Sequence, residues 1–565
     1  MKEHNRMLPA ALALALLAAL SSCAPASEAG FESIVPADSI MVVRADRPSE
    51  AFESLGPYLK KAGLGMLLGG KDPAKAVFSL AGIEKEFGLG YEDIDLSRPA
   101  GAFLLPGDSP DAPKMCVAFA LAKGRDGEKK LKEGKAKDLL ELSGDYAIIR
   151  SEGAPIGYPL GARARKSVAP GASRAIELEF DVKRVRELYP EAFAELSELD
   201  LSEFSNGADG EYLEETMAWV REMIEEMSMV RFSLEATDAE LSLDFGVSFS
   251  GGAIAKALSD ARPGSKVAAD LRYAPEDSLF ACSWDFDASA FGPWIENGAK
   301  AIEALGSGED GDMAALFREA AAIYRDFYAA IGSRAAMGVS FALDSAKLAN
   351  GDFANGLDVD LSGSFEVADE ARFSSFRERL FSNAALGDLI AEELADSGLS
   401  IGVKVADIAA GGVAASSYVL DFDVIDPAAL GASEVDPKMV ELVVDSLAQK
   451  YPLHFAIKDG RAWFSVGAEA KFGNLVSGGA ADASFAAKRR DALERIPSDA
   501  NFIYFLDVST LISKVQGAMG IKSPVEAGAE AWAWARVAGG SMSLTIRLSP
   551  ETFSVIARTM MSGIF

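Results

Sequence analysis

Apolar and polar residues alternate along several short stretches of the chain. "IELEF" puts Ile176, Leu178 and Phe180 on one side, and "LSLDFGVSF" does so with Leu241, Leu243, Phe245, Val247 and Phe249. The same period appears in "GLDVDLSGSF" (Leu357, Val359, Leu361), "YVLDFDV" (Tyr418, Leu420, Phe422, Val424) and "SMSLTIRL" (Met542, Leu544, Ile546, Leu548). Period two is the side-chain period of an extended chain, so these read as half-buried antiparallel strands, apolar inward and polar outward. Helical spacing follows three of them, in "GGAIAKALSD", "EARFSSFRERLF" and "ETFSVIARTMMSG". Longer helices are predicted at Tyr212–Val230, Asp312–Ala330 and Pro437–Gln449. In the first, Met217, Val220, Ile224 and Met227 form a stripe of the kind that packs in a core. "YPLHFAIKDGRAWFSVG" reads as a hairpin turning at "KDGR".

A longer regularity overlies this pattern. "PADSIMVVRAD" starts at Pro36, "PEDSLFACSWD" at Pro275 and "PSDANFIYFLD" at Pro497. Each has Asp two residues after Pro (Asp38, Asp277, Asp499), an apolar run, and Asp ten residues after Pro (Asp46, Asp285, Asp507). A helical stretch follows each copy: "SEAFESLGPYLKKAG", "ASAFGPWIENGAKAIEALG" and "VSTLISKVQGAMG". Pro fixes φ, the first Asp can hold a turn through its own backbone, and the second can cap the helix. These repeated carboxylates are therefore read as structural. The expected fold is α+β, with antiparallel sheets, helices packed on one face and internally repeated modules. The modules are placed at 31–265 and 266–565, a third repeat element begins at 497, and "DARPGSK" at 260–266 is the expected hinge.

Composition narrows the function classes. Asp plus Glu number 85 against 55 Lys plus Arg, a net charge of -30, which excludes a nucleic-acid partner because no cationic surface is available for phosphates. An apolar content of 49% is too high for a disordered chain. The N-terminus changes the picture further. Lys2 and Arg6 precede an apolar run from Met7 to Leu20, too short to span a bilayer, that ends in "LSSC". This order closely resembles the bacterial lipoprotein signal. The resemblance implies a signal peptide over 1–22, lipidation of Cys23, a tether over 23–30, and a membrane partner reached through the acyl anchor. Ala24, rather than Asp, after the Cys resembles the outer-membrane sorting pattern of Gram-negative envelopes. Two or three acyl chains suffice for stable anchoring, each buried methylene adding about 0.8 kcal/mol.

Candidate chemistry is sparse. Cys116 and Cys282 lie in apolar runs and read as buried thiols, with a disulfide between them as the alternative. "GMLLGGKD", Gly65 to Asp72, has the glycine and lysine spacing of a phosphate loop but ends in Asp where a magnesium-binding hydroxyl belongs. His454 is the only histidine after the leader, too few for a histidine zinc site, and no Gly-x-Ser-x-Gly elbow accompanies it. "GSGEDGD", Gly306 to Asp312, lacks the alternating ligands of a calcium loop, and "RARK", Arg163 to Lys166, reads as a basic island in a loop. No catalytic residue, metal or cofactor is assigned.

The repeated Pro-x-Asp strand–helix pattern and glycine hairpins such as "DGRAWFSVG" resemble bacterial envelope proteins known only as domains of unknown function. That resemblance implies address and architecture, and carries no activity. The leading expectation is a lipid-anchored, non-enzymatic envelope protein that binds or scaffolds a protein, polysaccharide or lipid. The alternatives are a carboxylate-based hydrolase of envelope sugar or peptide and a carrier of apolar cargo, the latter marked by an apolar space between sheet and helices. Oligomeric state does not follow from these features. The anchor yields the first prediction: Cys23→Ser abolishes metabolic fatty-acid labelling and releases the body into a soluble fraction. Undiminished labelling of that variant would refute lipidation at Cys23.

Overall fold

The computed structural model describes 34–63, 87–150, 176–191, 221–286, 292–304, 311–347, 356–382, 399–424, 451–478, 484–518 and 528–562, apart from a few positions inside these ranges, together with Lys75 and Ala194. Cys23, Asp46, Met217, Val220, the Gly65–Asp72 loop, the Arg163–Lys166 island and the helix expected at Pro437–Gln449 lie outside the described residues.

The strands of the first half are β1 (Met41–Ala45), β2 (Ala100–Leu105), β3 (Lys114–Ala120), β4 (Leu140–Ser143), β5 (Tyr146–Arg150), β6 (Ile176–Phe180), β7 (Met227–Ala236) and β8 (Leu241–Phe249). Those of the second are β9 (Phe280–Asp285), β10 (Ile331–Leu343), β11 (Leu357–Val367), β12 (Leu399–Ala410), β13 (Val413–Val424), β14 (Leu453–Lys458), β15 (Arg461–Val466), β16 (Phe502–Asp507), β17 (Glu530–Ala538) and β18 (Ser541–Leu548). All belong to one sheet of 18 strands, and every pairing is antiparallel. The fold is α+β.

Hydrogen-bonded neighbours run β4–β5–β3–β2–β1–β6–β7–β8, then β18–β17–β16–β9–β10–β11–β15–β14–β13–β12. The second series retraces the first. In each half a central strand, β1 or β9, has the next strand of the sequence, β2 or β10, on one side and the start of a three-strand meander on the other. The meanders end in β8 and β18, which pair with each other from Leu241 opposite Leu548 to Ser248 opposite Ser541. The β12–β13 hairpin is an addition to the second half.

The Pro36, Pro275 and Pro497 segments lead into β1, β9 and β16, and the helices Pro48–Lys61, Gly292–Ala304 and Val508–Ala518 follow. The alternating sequence underlies a fourth such unit, β6, whose following Asp181 caps the helix Val182–Leu188 by accepting from the Arg184 N–H at 2.9 Å. Local chemistry explains other elements. The β14–β15 turn uses Asp459 and Gly460, both at positive φ (54° and 69°), which a two-residue hairpin of this kind requires. The expected helix at Asp312–Ala330 is found as Gly311–Ala330. The helix expected at Tyr212–Val230 is corrected: helix is present up to Glu226, but Met227 opens β7, so its side chain belongs to a strand. "MSMVRFSLEA" satisfies both periods locally, and pairing with β6 and β8 decides for the strand.

The 13- to 20-residue helices with described packing lie on one face of the sheet. Pro48–Lys61 places Leu55 and Tyr58 against Leu241, while Gly311–Ala330 and Glu370–Ser382 bring Phe327 and Phe373 against Phe365 and Ala462. The other face is covered too, by Phe472 and Val476 of the helix Glu469–Ser477 and by apolar residues between Val267 and Ala274 and between Phe485 and Ala500. Residues 260–265 of the segment expected as a hinge are tied down. Arg262 and Ser265 donate to the Asp285 carboxylate at 2.7 to 2.9 Å, and the Gly264 N–H donates to the Asp499 carbonyl at 3.2 Å.

Just beyond it, Asp270 is buried and receives Nε and Nη2 of Arg334 at 2.9 and 2.6 Å, with Arg461 Nη1 3.9 Å away. Arg461 also lies over the Tyr273 ring, which meets Trp463 edge-on at 4.9 Å. This knot clamps the entry of the second half onto β10 and β15. Asp270→Ala would leave two guanidiniums without their buried counter-charge, and the expected loss is about 3 kcal/mol of unfolding free energy. A denaturant midpoint showing a loss below about 1 kcal/mol would count against the clamp.

Candidate binding face

The repeated acids do not converge on one site. At Pro36 and Pro275 the turn is held by the next residue: Ser39 and Ser278 donate Oγ to the proline carbonyl at 2.8 and 2.7 Å, while Asp38 is half-buried and Asp277 exposed. In the third copy Asp499 pairs with Arg536. Asp285 is fully buried in the Arg262–Ser265 contacts at the end of β9. Asp507 caps its helix, accepting from Ser509 Oγ at 2.9 Å and the Thr510 N–H at 2.8 Å. The five described acids thus share no common site, and Asp285 and Asp507 act at strand ends.

Cys116 and Cys282 are free, buried thiols on different halves. Burial pushes their pKa values up to about 12 and about 11, against a lowering by Arg150 and by a hydrogen bond from the Met337 backbone respectively, so both stay protonated at neutral pH. His454 is buried, stacked on Phe472 and 2.8 Å from the Gly467 carbonyl through Nε2. Among the described residues there is no group of His, Cys, Asp or Glu arranged to hold a metal ion.

A small cleft of about 180 Å³ opens where the β7–β8 turn meets β17 and β18. Its floor is Trp532 and Trp534, with Arg547 stacked 4.5 Å from the Trp534 ring. Its carboxylates are committed to arginines: Glu240 to Arg495 and Arg547 at 3.5 Å, Glu530 to Arg489 at 2.8 Å.

The larger feature is the opposite face of the same strands. Residues opposed across antiparallel strands point the same way, so the registers define rows across the sheet. One row reads Leu178, Phe232, Phe245, Leu544, Ala535 and Phe502, and continues through Trp284 and Ala335 to Phe365. The next reads Ile176, Leu234, Leu243, Ile546, Ala533 and Tyr504, and continues through Cys282 and Met337. Neither row contains a charged residue.

Ile176, Leu241 and Val247 are buried as the alternation predicts, but at the centre of the sheet exposure departs from apolar inward and polar outward. On the apolar face Phe245, Met542 and Tyr504 are 45%, 44% and 39% exposed. On the polar face Ser283, Ser364, Ser233 and Thr545 are buried. That face carries the core built by Ile503, Phe505, Trp532 and Trp534 with the segments between Val267 and Ala274 and between Phe485 and Ala500, and its polar side chains are buried there with their partners satisfied. Glu177 pairs with Arg44, Glu179 with Arg231 at 2.9 Å, and Asp244 accepts from Ser233 and Thr545. Ser283 donates to the Ala335 carbonyl at 3.0 Å, and Ser364 accepts from Arg461. Alternation identifies which residues share a face; it does not identify which face is covered.

The exposed part lies between helices. Tyr58 and Phe553 pack near Leu241 and Leu243, Ile254 and Leu258 pack on Val537, and Phe327 and Phe373 pack by Phe365. Among the described residues no helix is long and apolar enough to cross a membrane. The chain matches no family model, no curated protein and no solved structure.

Proposed function

We propose that this is a lipid-anchored, non-enzymatic protein of the bacterial envelope, at the outer membrane in Gram-negative cells, that binds an apolar ligand of acyl-chain type on the uncovered part of the sheet. The observation that carries this reading is the apolar patch between the helices, over the strands β8, β18, β17 and β16, where Phe245, Met542 and Tyr504 are left exposed while Ser233, Thr545 and Arg231 on the other face are buried. Apolar area left in water costs about 25 cal/mol per Å², and exposed apolar patches of this kind mark binding surfaces. The lining is charge-free, so it offers nothing to a polar sugar or an ionic partner. The lipobox-like leader supports a position beside a membrane, where acyl ligands are abundant.

The test uses the full chain with Cys23→Ser, purified without detergent so that no anchor or micelle competes. Titration with cis-parinaric acid is expected to give saturable energy transfer from tryptophan, with a dissociation constant in the micromolar range or tighter, reversed by unlabelled palmitate. Signal that neither saturates nor is displaced would overturn the proposal.

A further inference from the structure

The chain contains one strand whose side chains are divided by size more sharply than by polarity. β17, "EAWAWARVA", sends Trp532, Trp534 and Arg536 to the polar face and Ala531, Ala533 and Ala535 to the apolar face. The two tryptophans are buried in the core beneath, which fixes the orientation of the strand. The three alanines are each partly exposed. Their neighbours on both sides are large: Leu544, Ile546 and Leu548 from β18, and Phe502, Tyr504 and Leu506 from β16. Side-chain height therefore drops along β17, giving a furrow one strand wide that is bounded where the helices Ala253–Asp260, Val508–Ala518 and Pro550–Ser562 contact this strand.

The internal repeat shows that the framework does not demand alanine here. Asp181 and Asp507 cap equivalent helices after β6 and β16, which aligns Phe180 with Leu506, Leu178 with Tyr504 and Ile176 with Phe502. Their partners on β7 are Val230, Phe232 and Leu234, where β17 has Ala531, Ala533 and Ala535. The first half carries bulky side chains at the positions where the second half carries alanine.

We infer that the furrow over Ala531, Ala533 and Ala535 is the seat of a single acyl chain. This rests on the proposed function above and deepens it by naming the place and the number of chains. The furrow spans about 14 Å along β17, and its flanking strands are about 9.5 Å apart, backbone to backbone. A helix, about 10–12 Å across with its side chains, is too wide to enter. An extended peptide would bury amide groups against the nine side chains that β16, β17 and β18 present there, among which the Tyr504 hydroxyl is the one polar group, at about 1–3 kcal/mol for each group left unpaired. A hydrocarbon chain is thin and has no hydrogen bonds to lose.

The test compares the Cys23→Ser chain with the same chain carrying Ala533→Phe, the residue found at the equivalent position of β7. Parinarate binding to the parent is expected at one chain per protein, and Ala533→Phe is expected to weaken it at least tenfold with an unchanged melting temperature. If Ala533→Phe folds poorly, Ala535→Leu, again the residue of the first half, takes its place with the same expected loss. Strong binding to the parent that the filled variant retains would refute the furrow while leaving the wider binding face intact. Failure of the parent itself to bind would remove both.

Discussion

The backbone ladder between β8 and β18 is the contact on which the architecture depends. Each half of the chain builds a sheet that ends in one of these strands, and an unpaired terminal strand presents a row of free amide and carbonyl groups. Pairing the two ends from Leu241 opposite Leu548 to Ser248 opposite Ser541 leaves, among the described strands, β4 and β12 as the edges of the sheet. The two strands are equivalent in their halves, so the junction resembles the self-complementary contact of a symmetric dimer, made within one chain. Side chains reinforce it: Ser541 donates to Ser248 at 2.9 Å, and Thr545 donates to Asp244. Because the ladder is in register, the apolar rows of the halves meet without a break.

The polar side of the sheet makes that register specific. A slip of one residue would turn every side chain to the other face, setting Arg231 and Asp244 among leucines and phenylalanines. Ion pairs such as Arg231 with Glu179 add little net stability once desolvation is counted, but breaking one is expensive. They act as a penalty on wrong pairings. The same face also carries the core of Ile503, Phe505, Trp532 and Trp534, so the strands are covered there while the opposite face is covered only in part.

Much of this could be read from sequence where one short segment determines the outcome. Asp459-Gly460 suffices for a tight hairpin, Asp507 followed by Ser509 and Thr510 for a helix cap, and the alternation in "SMSLTIRL" for a strand with Leu544 and Ile546 on one side. The fourth repeat was harder to see, because Pro170 stands eleven rather than ten residues before Asp181 and no Asp follows it at the second position. The turn-holding role went to Ser39 and Ser278 rather than the adjacent acids, since a hydroxyl can donate to the proline carbonyl and a carboxylate cannot. The proposed binding face is not legible in the sequence for a different reason. Its existence depends on which strands become neighbours, and β17 lies beside β16 and β18 in a sheet where β8 and β18 are some 300 residues apart in sequence.

The net charge of -30 and the charge-free face belong to the same physical argument. An exposed apolar surface invites two copies to pair through it, and strong like charge opposes that approach. It equally opposes flat adsorption onto an anionic leaflet. Neither effect acts on a neutral hydrocarbon segment, whose transfer depends on contact area alone. On the proposed reading, the anchor brings the body to the membrane while its charge keeps the apolar face from settling on it. What can reach that face is then a single chain leaving the bilayer, and the site selects it by width rather than by hydrogen bonding.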